Sequence, residues 1–399
     1  MSSRRKILLI ALETIWVSPA RLPRALQAAG FEVGVACRES ALLARTRHRD
    51  HFFPLPRKNP ARALLAGIKT IVSAWKPDLI LPMDDRTTLF LTGLPERLAA
   101  EGDSSGLADL LRRSLGNPVS TREALSKRRT MEVARELGVR VPACQTVEST
   151  AEIQKFAQEH GYPMVIKQSF GNSGNGVFIC HNEVEARAAW ERSRPKDNAR
   201  KRILNWREQF RGRVIESSWL RSDRSVTVSQ FIRGKCANSL AAAVGGRMLA
   251  ALTAEVEQTN HNDTGPASVI RLTQNEEMRR FSEKMLNHWG LTGLIGFDFI
   301  LDEARQAWLL ECNPRSTSLG HLGVLVGEDL CAALYQGLIS MPVMRTGKVK
   351  ELMIAHFPQE SWRASDSPYF KLAFHDVPTD DPDLLEALKK CPPHWRTQT

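Results

Sequence analysis

The chain has 399 residues, 42% hydrophobic and 25% charged, the make-up of a globular enzyme of two or three sub-domains rather than a fibrous or disordered chain. Its 55 Lys and Arg against 44 Asp and Glu leave a formal charge of +11, which favours anionic partners: nucleotides, acidic metabolites, acidic protein surfaces or nucleic acid. No run approaches the roughly 20 apolar residues that span a bilayer, and seven cysteines with no CxxC pair exclude a disulfide scaffold and fit a reducing compartment. Arg4-Arg5-Lys6 before Ile7 to Ile10 mimics a secretory leader. The apolar run is short, however, Glu13 interrupts it, and no small-residue cleavage site follows, so a cytoplasmic protein is expected.

In chain order, Lys6 to Leu12 reads as a buried strand, Pro19 to Ala29 as a helix stopped by Gly30, and Phe31 to Ala36 as a second strand. A third strand, Leu79-Ile80-Leu81, ends at Pro82-Met83-Asp84-Asp85. Strands alternating with helices predict a parallel sheet whose ligand-facing edge lies at the strand carboxyl ends. Residues 1–115 are therefore expected to form one small α/β domain. Helices are predicted over Thr121 to Leu137 and Ala151 to His160, each closed by a glycine. Met164-Val165-Ile166-Lys167 then leads as a strand into Gly171-Asn172-Ser173-Gly174-Asn175-Gly176, and Val177-Phe178-Ile179 resumes it as a hairpin.

Two constellations carry chemistry. Gly171, Ser173, Gly174 and Gly176 form a tip whose backbone N–H groups can approach phosphate oxygens, although a plain hairpin tip has the same composition. It is neither a Walker loop nor a dinucleotide fingerprint, since no Gly-Lys-Ser/Thr follows and it leads into a strand. Lys167, ending an apolar strand beside it, puts a point charge where polyphosphate would sit, unless it is simply a surface lysine. The second constellation is Gly296-Phe297-Asp298-Phe299-Ile300 and Leu309-Leu310-Glu311-Cys312-Asn313-Pro314-Arg315, two strands joined by the turn Asp302 to Gln306. Pairing them antiparallel sets Asp298 opposite Glu311, and the two-residue period puts Asn313 on the same face. Two carboxylates and an amide oxygen make a hard site for Mg²⁺, or Mn²⁺, shared with phosphates. A solvated strand face is the plainer alternative, but both acids are embedded in apolar runs, where an unpaired carboxylate is costly. Arg315, one step further along, is placed to stabilise charge on a transferring phosphoryl group.

The order and spacing of these motifs over residues 120 to 340 resembles the ATP-grasp family: its Pro-x-Val-Ile-Lys strand (Pro163 to Lys167), its glycine loop over phosphates, and its Phe-Asp-Phe with Glu-x-Asn-x-Arg metal hairpin. The resemblance implies an α/β chain, α+β in its ATP-grasp part. A small parallel-sheet N-terminal domain (1–115) would precede a two-lobed ATP-grasp domain (116–340, lid about 145–235), with 341–399 as an extension of unassigned role. It also implies that Lys127 is a second phosphate-binding lysine, that Val226 to Gly234 is the hinge, and that the backbone of Gln230 and Ile232 meets adenine. Ser229-Gln230 and Lys235 to Asn238 depart from the family's acidic residues there, which puts the ribose contact in doubt. Glu257 to Gly265 reads as a polar loop leading into Pro266 to Arg271. In the family this region borders the acceptor, so His261, Ser268 and Arg271 are substrate candidates, with His321 after the metal hairpin.

The activity implied is a ligase that uses ATP and Mg²⁺ to activate a small carboxylate as an acyl phosphate and pass it to an amine, releasing ADP and phosphate. A homodimer is compatible with this. A catalytically silent nucleotide-binding regulator remains an alternative, as does a nucleic-acid binder. For the latter, residues 187 to 213 hold ten Lys or Arg against three acids, with Trp190 and Trp206 among them; a solvated helix pair explains the same stretch.

Overall fold

The computed structural model describes residues 4–56, 61–168, 176–194, 225–260, 265–343 and 350–392. The N-terminal part holds β1 (Lys6–Ile10), α1 (Val17–Ala28), β2 (Glu32–Cys37), β3 (His51–Pro54), α2 (Ala61–Trp75) and β4 (Leu79–Pro82). The four strands pair in parallel in the order β3-β2-β1-β4. β1 is central and buried on both faces. Ile7 and Leu9 enter one core cluster while Leu8 and Ile10 enter another, which is why the strand reads as a continuous apolar run. Gly34 of β2 is a close-approach glycine: a Cβ there would lie 2.6 Å from the Trp75 ring of α2. β3 had no counterpart in the sequence pattern, because it is a four-residue edge strand with half-exposed side chains.

Helices α3 (Asp85–Thr92), α4 (Leu94–Ala100) and α5 (Leu107–Leu115) follow β4. The single helix predicted over Thr121 to Leu137 is two, α6 (Pro118–Leu125) and α7 (Lys127–Glu136). Ser126 takes an extended conformation between them and its hydroxyl accepts the Arg129 N–H, an N-cap that restarts the helix. Lys127 thus becomes the first residue of α7.

Next comes an antiparallel four-stranded sheet, order β5-β8-β6-β7, from β5 (Cys144–Val147), β6 (Met164–Gln168), β7 (Val177–Cys180) and β8 (Val226–Gln230). Helices α8 (Thr150–His160) and α9 (Glu183–Ser193) cover it through Ile153, Phe156 and Trp190. Trp190 is therefore core rather than a base-stacking platform. Arg187 pairs with Glu183 and Arg194 with Glu191, as on a solvated helix. The rest of the basic stretch, with Trp206, lies outside the described residues.

The largest sheet has the order β13-β12-β9-β10-β11-β14-β15, antiparallel except for its last pair. It is built from β9 (Gly234–Val244), β10 (Arg247–Thr259), β11 (Ala267–Thr273), β12 (Gly293–Asp302), β13 (Ala307–Asn313), β14 (Leu352–His356) and β15 (Phe374–Asp376). One face, with Leu240, Leu252, Ala254 and Ile270, packs with Ile7, Leu9, Leu22 and Leu26 of the N-terminal part. The other face, with Ala241, Phe297 and Phe299, lies under Met278, Phe281 and Trp289 of α10 (Glu276–Trp289). One expectation is corrected. β10 continues to Thr259, so Glu257 to Thr259 are strand rather than loop. Residues 352–356 and 374–376, which carried no sequence signal of this kind, extend the main sheet by two strands. No described helix is long and apolar enough to cross a membrane, and all seven cysteines are free.

Candidate functional site

The strand hairpin β12–β13 pairs as expected, with Asp298 opposite Glu311 and Gly296 opposite Asn313. The register then steps to Phe299 opposite Leu309, so Leu310 is a bulge residue beside the two acids, the kind of irregularity that re-aims a side chain. Cys312 between Glu311 and Asn313 enters the apolar core of the other face, leaving its neighbours on the site face. Gly296 keeps the hairpin thin: a Cβ there would come 2.6 Å from Thr317 Cγ2, so the loop after Asn313 lies flat on β12.

Several elements bring charged or amide side chains to this corner. Lys127 at the start of α7 places Nζ 2.8 Å from Glu311 Oε2. Lys167 on β6, buried, lies close enough to Lys127 and Glu311 to feel both charges. Asn238 of β9 donates to Asp298 Oδ1 at 2.5 Å, and Asn313 Nδ2 donates to Asp298 Oδ2 at 3.0 Å. Arg315 follows the end of β13 in a bend and is itself buried.

The electrostatics are unbalanced in two places. Burial, together with the adjoining Glu311 carboxylate, pushes the Asp298 carboxyl well above the ordinary carboxylate range, outweighing two amide donors. Burial would raise Glu311 too, but the Lys127 ammonium holds it below that range. Burial works against the Lys127 charge, and Glu311 with Asp298 and Asp85 outweighs it, so its pKa is raised. Lys167 is the opposite case. Burial, then the like charge of Lys127, brings it down to about 8. Among the described residues no carboxylate lies within ion-pair distance of Lys167. The corner thus holds one ammonium short of an anion and one carboxyl short of a cation.

Whether these residues suit a divalent ion follows from their donor chemistry. Asp298 and Glu311 supply hard oxygens on adjacent strands, and Asp298 sits where a cation would relieve its repulsion with Glu311. Asn313 turns its amide nitrogen to Asp298 and its oxygen to Arg315 Nη2 at 3.4 Å, so its use as a ligand requires a half-turn of the amide. With that turn, the set fits a hard cation. Among the described residues no group of three or more His, Cys, Asp or Glu forms a metal site, so the third oxygen has to come from an amide or from the substrate.

The other predicted residues fall into three groups. Gly171, Ser173, Gly174 and His261 lie outside the described residues, while Gly176 closes the β6–β7 hairpin with φ +76°. Gln230 ends β8 at the junction with the main sheet, and its N–H is given to Ala143 O at 2.8 Å rather than left open to a base. Ile232 sits in the half-buried link to β9. Ser268 is buried on β11, its hydroxyl directed to Gln258 O at 3.4 Å. Arg271 does not join the corner. The register Asp298–Asn238–Ala254–Leu272 places Leu272 on the site face and Arg271 on the reverse, where it pairs with Glu257 at 2.7 Å.

His321 is drawn away as well, with Nε2 2.7 Å from Asp376 Oδ2. Arg21 Nη2 meets the other oxygen of Asp376 at 2.5 Å, and buried His356 completes the group. Here burial is outweighed by His321 and Arg21, which hold Asp376 well below the carboxylate range, while burial pushes His356 down to about 4.

Sequence reasoning missed two partners. Asn238 was read as a departure at the hinge, yet its register with Asp298 makes it a donor to the acid. Asp85 bonds Arg315 through both oxygens, Nε to Oδ1 at 2.5 Å and Nη2 to Oδ2 at 2.9 Å. Its signal was its place just beyond the carboxyl end of β4, the edge where ligands of parallel sheets bind.

Residues 124–319 match the family model of the ATP-grasp domain. The arginine-specific large chain of mitochondrial carbamoyl phosphate synthase from Neurospora crassa is 22% identical over 287 residues, 67% of this chain and 22% of that protein. The formate-dependent phosphoribosylglycinamide formyltransferase of Azotobacter vinelandii is 21% identical over 280 residues, covering 70% of this chain and 63% of that one. The chain thus spans less than two thirds of either relative. In solved structures the fold is similar to the biotin carboxylase domain of Hydrogenobacter thermophilus 2-oxoglutarate carboxylase, with TM-score 0.61, 16% identity, and 88% and 74% of the two chains covered. It is also similar to N5-carboxyaminoimidazole synthetase from Staphylococcus aureus, with TM-score 0.58, 12% identity, and 88% and 81% covered. Residues 124–319, which carry Lys127, Lys167, Asp298, Glu311 and Arg315, thus belong to the ATP-grasp superfamily.

Proposed function

We propose that this protein is an ATP- and Mg²⁺-dependent ligase that activates a carboxylate as an acyl phosphate and transfers it to an amine or similar nucleophile, releasing ADP and phosphate. One observation carries the reading: a buried ammonium on Lys167 without a carboxylate partner among the described residues, beside an Asp298 carboxyl held up by burial and a neighbouring acid. A metal polyphosphate answers both deficits at once, cation to the acids and anion to the lysine. That the Azotobacter vinelandii relative is named for a formate-dependent formyl transfer, and the Hydrogenobacter thermophilus neighbour was solved with MgADP and bicarbonate, supports the same substrate class.

In this reading Asp298 and Glu311, with Asn313 once its amide has turned, would hold Mg²⁺, which when bound offsets charge on the phosphate oxygens. Lys127 and Lys167 bind the polyphosphate and fix its direction. Arg315, rigid and always charged, stabilises the charge that develops during phosphoryl transfer. Gly176 lies toward the phosphates, and Gln230 and Ile232 border the base. A silent nucleotide sensor needs the pocket but not a buried arginine beside the acids, so Arg315 favours the enzyme.

The test is a screen of small carboxylates with MgATP and hydroxylamine as surrogate nucleophile. The reading expects a hydroxamate and ADP with at least one acid. Formation of AMP and pyrophosphate would mean adenylation and overturn the acyl-phosphate mechanism.

A further inference from the structure

Arg315 is held from several sides, and one of the groups holding it comes from the N-terminal domain. Asp84 caps α3, its Oδ1 accepting the Thr87 N–H at 2.8 Å. Its Oδ2 accepts the N–H groups of Leu12 at 2.8 Å and Glu13 at 3.1 Å, beyond the end of the neighbouring β1. Asp84 is 1% exposed, so these bonds bolt the carboxyl ends of β1 and β4 together in a dry setting. The next residue, Asp85, opens the first turn of α3 and reaches across to the guanidinium of Arg315 as a two-point carboxylate fork. The Trp16 ring lies 5.4 Å from the same guanidinium, just before α1. Asn313 Oδ1 and Ser316 O accept two further N–H groups at 3.4 and 3.3 Å.

We infer that Asp85 is the positioning residue of the reaction proposed above: it fixes the plane and direction of Arg315 so that the cation waits beside Asn313 and Asp298 before substrate arrives. The inference rests on the ligase reading, because it assigns Arg315 its transition-state role. Geometry favours positioning over a plain tie between domains. A tie needs charge somewhere along the contact, whereas here both carboxylate oxygens engage Nε and Nη2, an edge-on grip that removes rotation about the last bonds of the side chain. The Nη1 edge gives one N–H to Ser316 O and keeps one without a partner among the described residues. An arginine oriented in advance costs little reorganisation when charge develops, which is where such a group acts most strongly.

The experiment uses the full chain and needs no knowledge of the acid. MgADP with aluminium fluoride serves as the probe of the phosphoryl transition state, with MgADP alone as the ground-state reference, each titrated by calorimetry. The wild type is expected to bind MgADP more tightly when aluminium fluoride is present. Asp85→Asn should lose that gain by about 10-fold or more, while keeping its MgADP affinity. Asp85→Glu should restore part of it. In an Arg315→Ala background, Asp85→Asn should add no further loss, and melting temperatures read alongside separate this from domain docking.

An Asp85→Asn variant that keeps or increases the aluminium fluoride gain overturns the proposal, because Asp85 would then compete with the phosphoryl group. So does an equal loss with and without Arg315, or a loss that follows melting temperature across both Asp85 variants. A wild type that binds neither MgATP nor MgADP overturns the ligase reading, and this proposal with it. A wild type that binds MgADP but gains nothing from aluminium fluoride removes the transition-state role of Arg315.

Discussion

Two buried charge clusters sit on the same face of the large sheet, and their carboxylates are displaced in opposite directions. At β12 and β13, Asp298 is pushed up by burial and by Glu311. At β14 and β15, Asp376 is held down because His321 and Arg21 outweigh burial. Both are desolvated, so burial alone does not tell them apart. The partners do. Asp376 already has its partners, His321 and the Arg21 guanidinium, at 2.7 and 2.5 Å. Asp298 is bonded by two amides beside a second acid and has no ion pair of its own among the described residues, so a cation entering there would relieve it. A buried acid with its counter-charges built in is a brace, and one without them is a binding site in waiting.

That contrast breaks if the first cluster tolerates loss of charge. Glu311→Gln should reduce turnover by roughly 1,000-fold or more, since it removes a charged oxygen from the set proposed to hold Mg²⁺. The fold should stay intact, because the change also relieves the repulsion on Asp298; steady-state kinetics at saturating Mg²⁺ with circular dichroism would check both. Near-normal activity would end the metal assignment. Arg315→Lys should lose about 100-fold in rate with ATP affinity kept, because an ammonium supplies charge without a fork. Stopped-flow phosphate release separates the two quantities. Lys127→Ala and Lys167→Ala should each weaken MgATP binding or slow transfer by about 10-fold or more. If both bind and turn over MgATP normally, the polyphosphate lies elsewhere.

The brace sharpens the comparison by doing nothing to chemistry. Asp376→Asn should leave MgATP affinity unchanged and lower stability by about 3 kcal/mol in urea unfolding, since it leaves Arg21 buried beside a neutral partner. His356 gives the same cluster a pH signature. Its folded pKa of about 4 lies below the unfolded 6.5, so the unfolded chain binds the extra proton between these values. Stability from this group is present above pH 6.5 and is lost as pH falls toward 4, by up to about 3 kcal/mol. His356→Gln should flatten the urea midpoint over that window, and an unchanged slope would show that His356 is not held neutral.

The first cluster was legible in the sequence and the second was not, for a physical reason. Asp298, Glu311 and Asn313 share one local hairpin, so a period of two and a short turn suffice to bring them together. Lys167 stands one residue before the end of a short apolar strand, which is also a local signal. Lys127 came from resemblance alone, and the Ser126 cap that starts its helix was read through as continuous helix. Arg21 and Asp376 are 355 residues apart, and no local pattern joins α1 to β15. Asp85 and Arg315 meet across 230 residues for the same reason. Arg271 failed differently: it was placed by resemblance, whereas the face it occupies is set by the register of β11 with β10.

The length of that first separation has a consequence for how the chain is made. While the ribosome is still synthesising residues before 376, α1 has its apolar contacts but lacks the carboxylate that anchors Arg21, and the large sheet still lacks β15. An N-terminal parallel sheet can form early from its own short-range pairings, yet its docking against the sheet that carries Asp298 is completed by nearly the last described strand. Contacts of such sequence separation form late and slowly. In nascent chains of this protein Leu22 and Leu26 should therefore find their apolar partners before Arg21 finds its carboxylate, leaving the docking of α1 unsecured until residue 376 has been made.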